Sequence, residues 1–359
     1  MRKIPLSLFS FVACLGILAS PGLAQWSIEV VDTTGGQGTS IALDANDYPH
    51  IAYYNSHIWY LDLKYAYKDA GGWHIELVDT FGNVGMFPSI ALDSSGYPHI
   101  SYYDVSLTNL KYAYKDAGGW NIETVDNQGT VGTYSSIALD GAQYPHISYY
   151  DSWNFFFDLK YAYKDAGGWH IERADTTGNV GQYTSIALDA GGYPHISYTF
   201  VPGMADVDLK YAYKDAGGWH PEIVDAPGAA GMYTSLALDG TERPHISYST
   251  QAGGLKYGVK TGATWNLQMV GSEVGTYTCL AFDYVGNPHI SYCDENLTAL
   301  KHAVRIGGTW NIETVDNAGS VGRYTSLAPG SYGNLHISYW DEPNNDLKYA
   351  FLMINHDVG

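Results

Sequence analysis

The stretch Leu110-Lys111-Tyr112-Ala113-Tyr114-Lys115-Asp116-Ala117-Gly118-Gly119-Trp120 decides the fold, because it does not occur once. The same eleven residues stand at 63–73, 159–169 and 209–219, and looser copies begin at Leu255, Leu300 and Leu347. The tryptophans Trp26, Trp73, Trp120, Trp169, Trp219, Trp265 and Trp310 are spaced by 47, 47, 49, 50, 46 and 45 residues. A near-constant period of this length marks a repeat architecture. Helical repeats of similar length would carry a 3.6-residue apolar period, which is absent, and β-solenoid coils are usually shorter.

Each repeat holds four strand-like runs separated by turn chemistry. In the copy at 89–126 they are Ser89–Leu92, His99–Tyr103, Leu110–Tyr114 and Trp120–Val125. Asp93–Pro98 and Asp116–Gly119 form the turns. Four antiparallel strands repeated seven times predict an all-β, seven-bladed β-propeller. The chain ends fit this count. Trp26–Val31 reads as a lone fourth-type strand, and 326–351 supplies the first three types. Pairing them would close the last blade from both termini and remove exposed sheet edges.

Residues 1–24 read as a secretory signal peptide: Arg2 and Lys3, an apolar run from Ile4 to Ala19, then small residues ending at Ala24. The propeller would then occupy 25–359 as one domain in a secreted protein, extracellular or periplasmic. No apolar stretch of membrane-spanning length follows. A formal charge of −19 in 359 residues argues against nucleic-acid binding, which depends on Lys and Arg neutralising phosphates.

Three sets of positions recur and read as scaffold. Asp precedes His by six residues in Asp44/His50, Asp93/His99, Asp140/His146, Asp189/His195, Asp239/His245 and Asp283/His289, with Gly330 before His336. The expected contact is a carboxylate–imidazole bond across one hairpin, not a metal site. Lys precedes Asp by fifteen in Lys64/Asp79, Lys111/Asp126, Lys160/Asp175, Lys210/Asp225 and Lys301/Asp316. Antiparallel pairing predicts ion pairs within each blade, and closure predicts Lys348 with Asp32. Gly-Gly-Trp predicts a tight turn followed by a packed ring. Cys279 and Cys293 each stand seven residues from Gly286. A hairpin symmetric about that glycine puts them opposite, as a disulfide permitted by export or as two buried thiols.

Function is expected in what does not repeat, on the end holding the second-to-third loops and the blade connections. An aromatic position precedes each first strand: Phe87, Tyr134, Tyr183, Tyr233, Tyr277 and Tyr324, with Gly38 in the first repeat. These rings serve either ligand stacking at the channel mouth or packing between blades. The second-to-third loops add Trp59, Tyr60, Trp153, Phe155 and Phe156, and Trp340 joins the candidate ligand-binding set. Exposed rings suit a saccharide or a protein partner. Acids lie nearby, but without an Asp-x-Asp-x-Asp-Gly pattern the calcium signal is weak, and no cofactor is expected.

The Ser-Ile-Ala-Leu-Asp-x-x-Gly-Tyr-Pro-His-Ile-Ser-Tyr motif, with Leu-Lys-Tyr-Ala-Tyr, resembles exported bacterial and archaeal propeller repeats of the loosely sialidase-like, BNR-repeat and propeller-lectin kind. The resemblance covers most of 26–351. It implies a propeller and leaves activity open. Sialidases use an arginine triad with a Tyr/Glu pair. Of Arg173, Arg243, Arg305 and Arg323, only Arg323 falls at the variable end, so sialidase activity is not expected. The leading expectation is a non-catalytic exported binder of carbohydrate or of a surface partner. The alternatives are a lyase, hydrolase or metal-dependent lactonase using Asp151, Glu295 or Glu342, and an adhesive surface module.

Overall fold

The computed structural model describes residues 25–353, apart from 58–59, 154–156, 204–205, 227–229 and 252. Residues 1–24, expected to be a leader, therefore lie outside the described residues, as do Trp59, Phe155 and Phe156. The architecture is all-β; its helical content is limited to short 3-10 turns such as Ser331–Gly333. Among the described residues the strands form six antiparallel sheets.

Five sheets have four strands in simple meander order or its equivalent. The sheet Val84–Leu92, Pro98–Asp104, Asn109–Asp116, Gly119–Asp126 is typical. The last sheet is assembled from both ends of the chain. Trp26–Asp32 pairs with Asp346–Leu352, which pairs with Leu335–Asp341 and then Val321–Pro329. The sixth sheet has seven strands because Thr264–Phe282 runs unbroken for 19 residues. Its first half pairs with Gly254–Thr261 and its second with Pro288–Asp294. The short connection Gly271–Gly275 fuses a fourth-type strand to the next first-type strand.

Successive sheets are joined by a bond that repeats with the sequence. Backbone N–H groups of one first strand donate to a side chain of the previous one: Ile90 to Ser40 Oγ (3.1 Å), Ile137 to Ser89 (3.1 Å) and Ile186 to Ser136 (3.2 Å). Leu236 donates to Ser185 (3.0 Å), Leu280 to Ser235 (2.9 Å), Leu327 to Cys279 Sγ (3.2 Å) and Ile41 to Ser326 (3.1 Å). Between the sheets lie separate apolar clusters, one per seam, such as Leu63, Val84, Ile100 and Tyr102. Both faces of the inner strands are buried, as the apolar content on both faces requires.

The buried polar layer corrects the lysine–aspartate reading. Lys111 Nζ meets Asp79 at 2.7 Å, not Asp126, and Lys64 meets Asp32 at 2.8 Å. Lys160 pairs with Asp126 (3.0 Å), Lys256 with Asp225 (2.7 Å), and Lys210 with Asp175. Each lysine thus crosses the seam to the preceding sheet. The reason is the turn register: pairing of Asp69 with Gly72 sets Lys64 opposite Leu77, and pairing of Asp116 with Gly119 likewise sets Lys111 opposite Thr124. A register shift beyond Lys64 then brings Asp79 opposite Leu63, and Asp79 bonds Lys111 and Tyr102 of the next sheet. Lys348 accordingly takes Asp316 (3.4 Å) and Asp341 (2.8 Å), not Asp32.

Tyr102 donates to the same Asp79 oxygen at 2.7 Å. Burial pushes the Asp79 carboxyl up, but bonds from Lys111 and Tyr102 hold it below its ordinary value. One seam lacks this carboxylate because Gly271 replaces the aspartate. There the buried Tyr292 hydroxyl has no hydrogen-bond partner among the described residues, and Lys301 stands 4.0 Å from Asp294.

The aspartates fix the hairpin turns mainly through backbone bonds; the expected carboxylate–imidazole hydrogen bond forms at His245 and His289, while the other four pairs stand 3.5–4.0 Å apart. Asp93 Oδ1 accepts the N–H groups of Ser95 and Tyr97 at 2.8 Å each. Its other oxygen lies 3.8 Å from His99 Nε2, and this spacing runs from 3.2 Å at His245 to 4.0 Å at His50. His99 Nδ1 is paired with the Tyr112 hydroxyl at 2.5 Å. Burial holds His99 below its ordinary pKa. The Gly-Gly-Trp turn is as expected: Gly119 has φ of 115°, and Trp120 packs edge-on against Tyr65 of the preceding sheet at 5.3 Å. Trp120 Nε1 donates to Glu76 of that sheet at 2.8 Å, and Lys115 caps the same carboxylate at 2.6 Å.

The cysteines are free thiols. The hairpin centres on Val285, not Gly286, because Phe282 pairs with Pro288. Cys279 therefore stands opposite Ser291, and Cys293 opposite Thr276. Burial pushes the Cys293 thiol up to about 12.

Candidate functional site

Each first strand contains a register shift three to five residues from its start. The bulge turns the aromatic residue at that place inward with a left-handed backbone. φ is 53° at Phe87, 57° at Tyr134, 52° at Tyr183, 51° at Tyr233, 52° at Tyr277 and 53° at Tyr324. Non-glycine residues in this region cost on the order of 1 kcal/mol or more each. The strain recurs because the rings that it aims inward pack against one another.

Their centroids are 4.6 Å apart for Phe87–Tyr134, 4.5 Å for Tyr134–Tyr183 and 4.6 Å for Tyr183–Tyr233. The series continues at 4.3 Å for Tyr233–Tyr277 and 4.5 Å for Tyr277–Tyr324. These six rings form a collar around a cavity of about 200 Å³. Gly38, φ 61°, completes the series without a side chain and leaves a notch between Tyr324 and Phe87. Gln37 Nε2 donates to the Tyr324 hydroxyl at 3.2 Å beside it. Burial, with neighbouring tyrosines, pushes the Tyr183 and Tyr277 hydroxyls above their ordinary values, so both stay neutral donors and acceptors.

A second layer lines the cavity, and the sequence reading missed it. The residue after each ring is Thr39, Pro88, Ser135, Thr184, Thr234, Thr278 or Thr325. Its hydroxyl donates to the carbonyl of the preceding ring residue, as Thr184 does to Tyr134 (2.8 Å) and Thr234 to Tyr183 (2.9 Å). It also meets a buried second-strand serine, as in Thr184 with Ser148 (2.7 Å) and Thr39 with Ser338 (2.6 Å). At the notch both partners change together. Pro88 has no hydroxyl, and the matching second-strand residue is Ala52. The signal was legible as an aromatic–Thr dipeptide recurring with the period.

The other described tryptophans of the candidate set, Trp340 and Trp153, are not part of the collar. Trp340 comes nearest, 6.0 Å from Tyr324, with its Nε1 donating to Asn345 at 3.1 Å. Trp153 is 51% exposed and lies on Gly129, where a Cβ would stand 2.4 Å from its ring. It lies on the connection outside the channel lining. Tyr60 takes a strand position opposite His57. The three acids considered for catalysis are engaged. Asp151 is buried against Lys160 at 2.9 Å, and Glu295 and Glu342 each hold Arg323 at 2.9 Å. Among the described residues no group of His, Cys, Asp or Glu is arranged to hold a metal ion, and no helix is long and apolar enough to cross a membrane.

No protein-family model matches the chain, and no curated protein matches it in sequence. Solved structures do resemble it. Virginiamycin B lyase from Staphylococcus aureus, with quinupristin, has a TM-score of 0.61 at 10% identity, over 92% of this chain and 100% of that one. An ulvan lyase of a new polysaccharide lyase family gives 0.61 at 13% identity, over 89% and 94%. The SapL1 lectin in complex with alpha methyl fucoside gives 0.52 at 16% identity, over 80% and 98%. At these identities the likeness concerns the fold, and it is that of a β-propeller.

Proposed function

We propose that the chain is an exported, seven-bladed β-propeller that binds a saccharide ring in its tyrosine collar. The seven-blade count is supported by the seven serine or cysteine bonds linking successive first strands, with Ser326 to Ile41 joining last to first. It requires Thr264–Phe282 to serve two blades. Residues 1–24 act as the export leader, and 25–359 fold as one domain.

The observation that carries the ligand class is the collar itself. Tilted phenol rings offer apolar faces for sugar C–H groups and hydroxyls for sugar oxygens. A cavity of about 200 Å³ suits one sugar ring or a glycan end. Gly38 makes the collar unequal, which gives a ligand a single orientation. The lectin and polysaccharide lyases among the structural neighbours are compatible with this ligand class. Binding is favoured over turnover because Asp151, Glu295 and Glu342 are already paired.

The test is a glycan array on the mature protein, followed by calorimetry of any hit with Tyr183→Ala and Tyr233→Ala. Loss of binding in both variants supports the reading. Binding that survives both, or no hit among the glycans, overturns it.

A further inference from the structure

A second cavity, of about 330 Å³, opens between the last sheet and the first, at the end carrying the first-to-second hairpin turns. His336, Tyr349 and Phe351 form one wall, and Asn46, Asp47 and Lys68 the other. The corresponding groove at His195, Tyr213 and Lys260 holds about 210 Å³. Two departures from the repeat meet at the larger one.

The first is Gly330, in the place of the turn aspartate. Six histidines have that carboxylate 3.2–4.0 Å from Nε2. His336 is 3% exposed and its Nε2 has no hydrogen-bond partner among the described residues. The second is Ser27. In three repeats a histidine stacks on the third-strand tyrosine at 4.8 Å, as His74 does on Tyr67. Ser27 pairs with Phe351 across the ladder and brings no ring.

The remaining groups define what would fit. The Tyr349 hydroxyl meets His336 Nδ1 at 2.7 Å, as its counterparts do beside the aspartate-facing histidines. When the Tyr349 hydroxyl donates to Nδ1, the ring proton sits on Nε2 and makes it a donor. The Asp47 carboxylate accepts the Ser331 N–H at 2.9 and 3.0 Å and keeps lone pairs for a further donor. Lys68 is held by Glu29 at 2.7 Å, so the groove offers little free positive charge to an anion. A donor, an acceptor and an aromatic wall in one small groove match a ligand with hydroxyls on its edge and a C–H face.

We propose that this groove binds a neutral monosaccharide, at a site separate from the collar. The experiment uses the mature protein, a panel of neutral methyl glycosides and histidine side-chain NMR, with His336→Gln assigning the signal. Two variants restore what the other repeats have. Gly330→Asn offers His336 an amide oxygen without adding charge, its Cβ 3.1–3.2 Å from an Asp47 carboxylate that must give slightly, and Ser27→His covers Phe351 from an exposed position. The expected result is a saturable shift of the His336 signals that both variants abolish and Tyr233→Ala leaves intact. The proposal is overturned if no glycoside shifts the signal, if both variants retain the shift, or if Tyr233→Ala removes it. The last outcome would assign the effect to the collar, and a collar that binds nothing would leave the groove result standing.

Discussion

Cys279 Sγ accepts the Leu327 amide hydrogen at 3.2 Å, where a serine oxygen accepts the equivalent hydrogen at every other seam. The thiol is thus a substitute for a repeated hydroxyl, not half of a disulfide. Cys279→Ser is expected to leave stability unchanged or raise it by up to about 1 kcal/mol, since oxygen is the better acceptor. Urea denaturation with and without reductant checks both points, because the midpoint of the wild-type protein should not respond to reductant.

The seam at Gly271 invites the opposite change. Gly271→Asp would return the carboxylate missing between Tyr292 and Lys301, displacing the Glu273 side chain that now approaches the glycine. A gain of about 1–2 kcal/mol is expected from satisfying a buried hydroxyl and a buried ammonium. Asp79→Ala does the reverse at an intact seam and should cost about 1.5–3 kcal/mol, because buried Tyr102 and Lys111 lose their shared acceptor while Lys111 keeps Asp104 at 3.5 Å. Equilibrium unfolding of the two variants measures the contrast.

Acid should weaken the fold in two stages. Burial holds His289 and His336 down to about 4, below the ordinary 6.5. The unfolded chain then binds more protons than the folded one between those values, so stability falls as pH drops from 6.5 toward 4. A full shift of this size is worth on the order of 3 kcal/mol per histidine. Asp32, Asp79 and Asp175 are held below 3.8, so their contribution is complete above 3.8 and is lost as pH falls further. Thermal melts across this range should show the first decline in wild-type protein and a smaller one in His336→Gln.

The notch can be filled. Gly38→Tyr places a seventh ring at a φ that its six counterparts already adopt, with the new Cβ 3.2 Å from Pro88. The expected cost is about 1 kcal/mol of backbone strain, with the fold retained and sugar uptake by the collar lost. Circular dichroism and calorimetry separate these two effects.

The repeat itself carried most of the architecture. Strand alternation, the Gly-Gly-Trp turn and the Asp–His spacing are local, so residues a few places apart report them directly. The pairing of Trp26–Asp32 with Asp346–Leu352 was legible as well, because an unmatched fourth strand at one end answers three strands at the other. The aromatic position was visible too, but its two possible uses were not separable by pattern. Strands read as flat ladders gave Lys64 the partner Asp79 and put Cys279 opposite Cys293. The turn that pairs Asp69 with Gly72 sets Lys64 opposite Leu77, and a turn centred one residue before Gly286 sets Cys279 opposite Ser291.

The sequence by itself determined the repeat, its strands and which positions vary, because those follow from backbone geometry over short spans. Tertiary structure alone decided which side chains meet across a seam. A lysine's partner lies on the preceding sheet, and six rings become a collar only when bulges at φ near 52° aim them at a common axis. Such contacts join residues more than thirty positions apart, as Lys64 and Asp32 are. Their pairing is set by the face each strand presents to its neighbour, which no single repeat specifies.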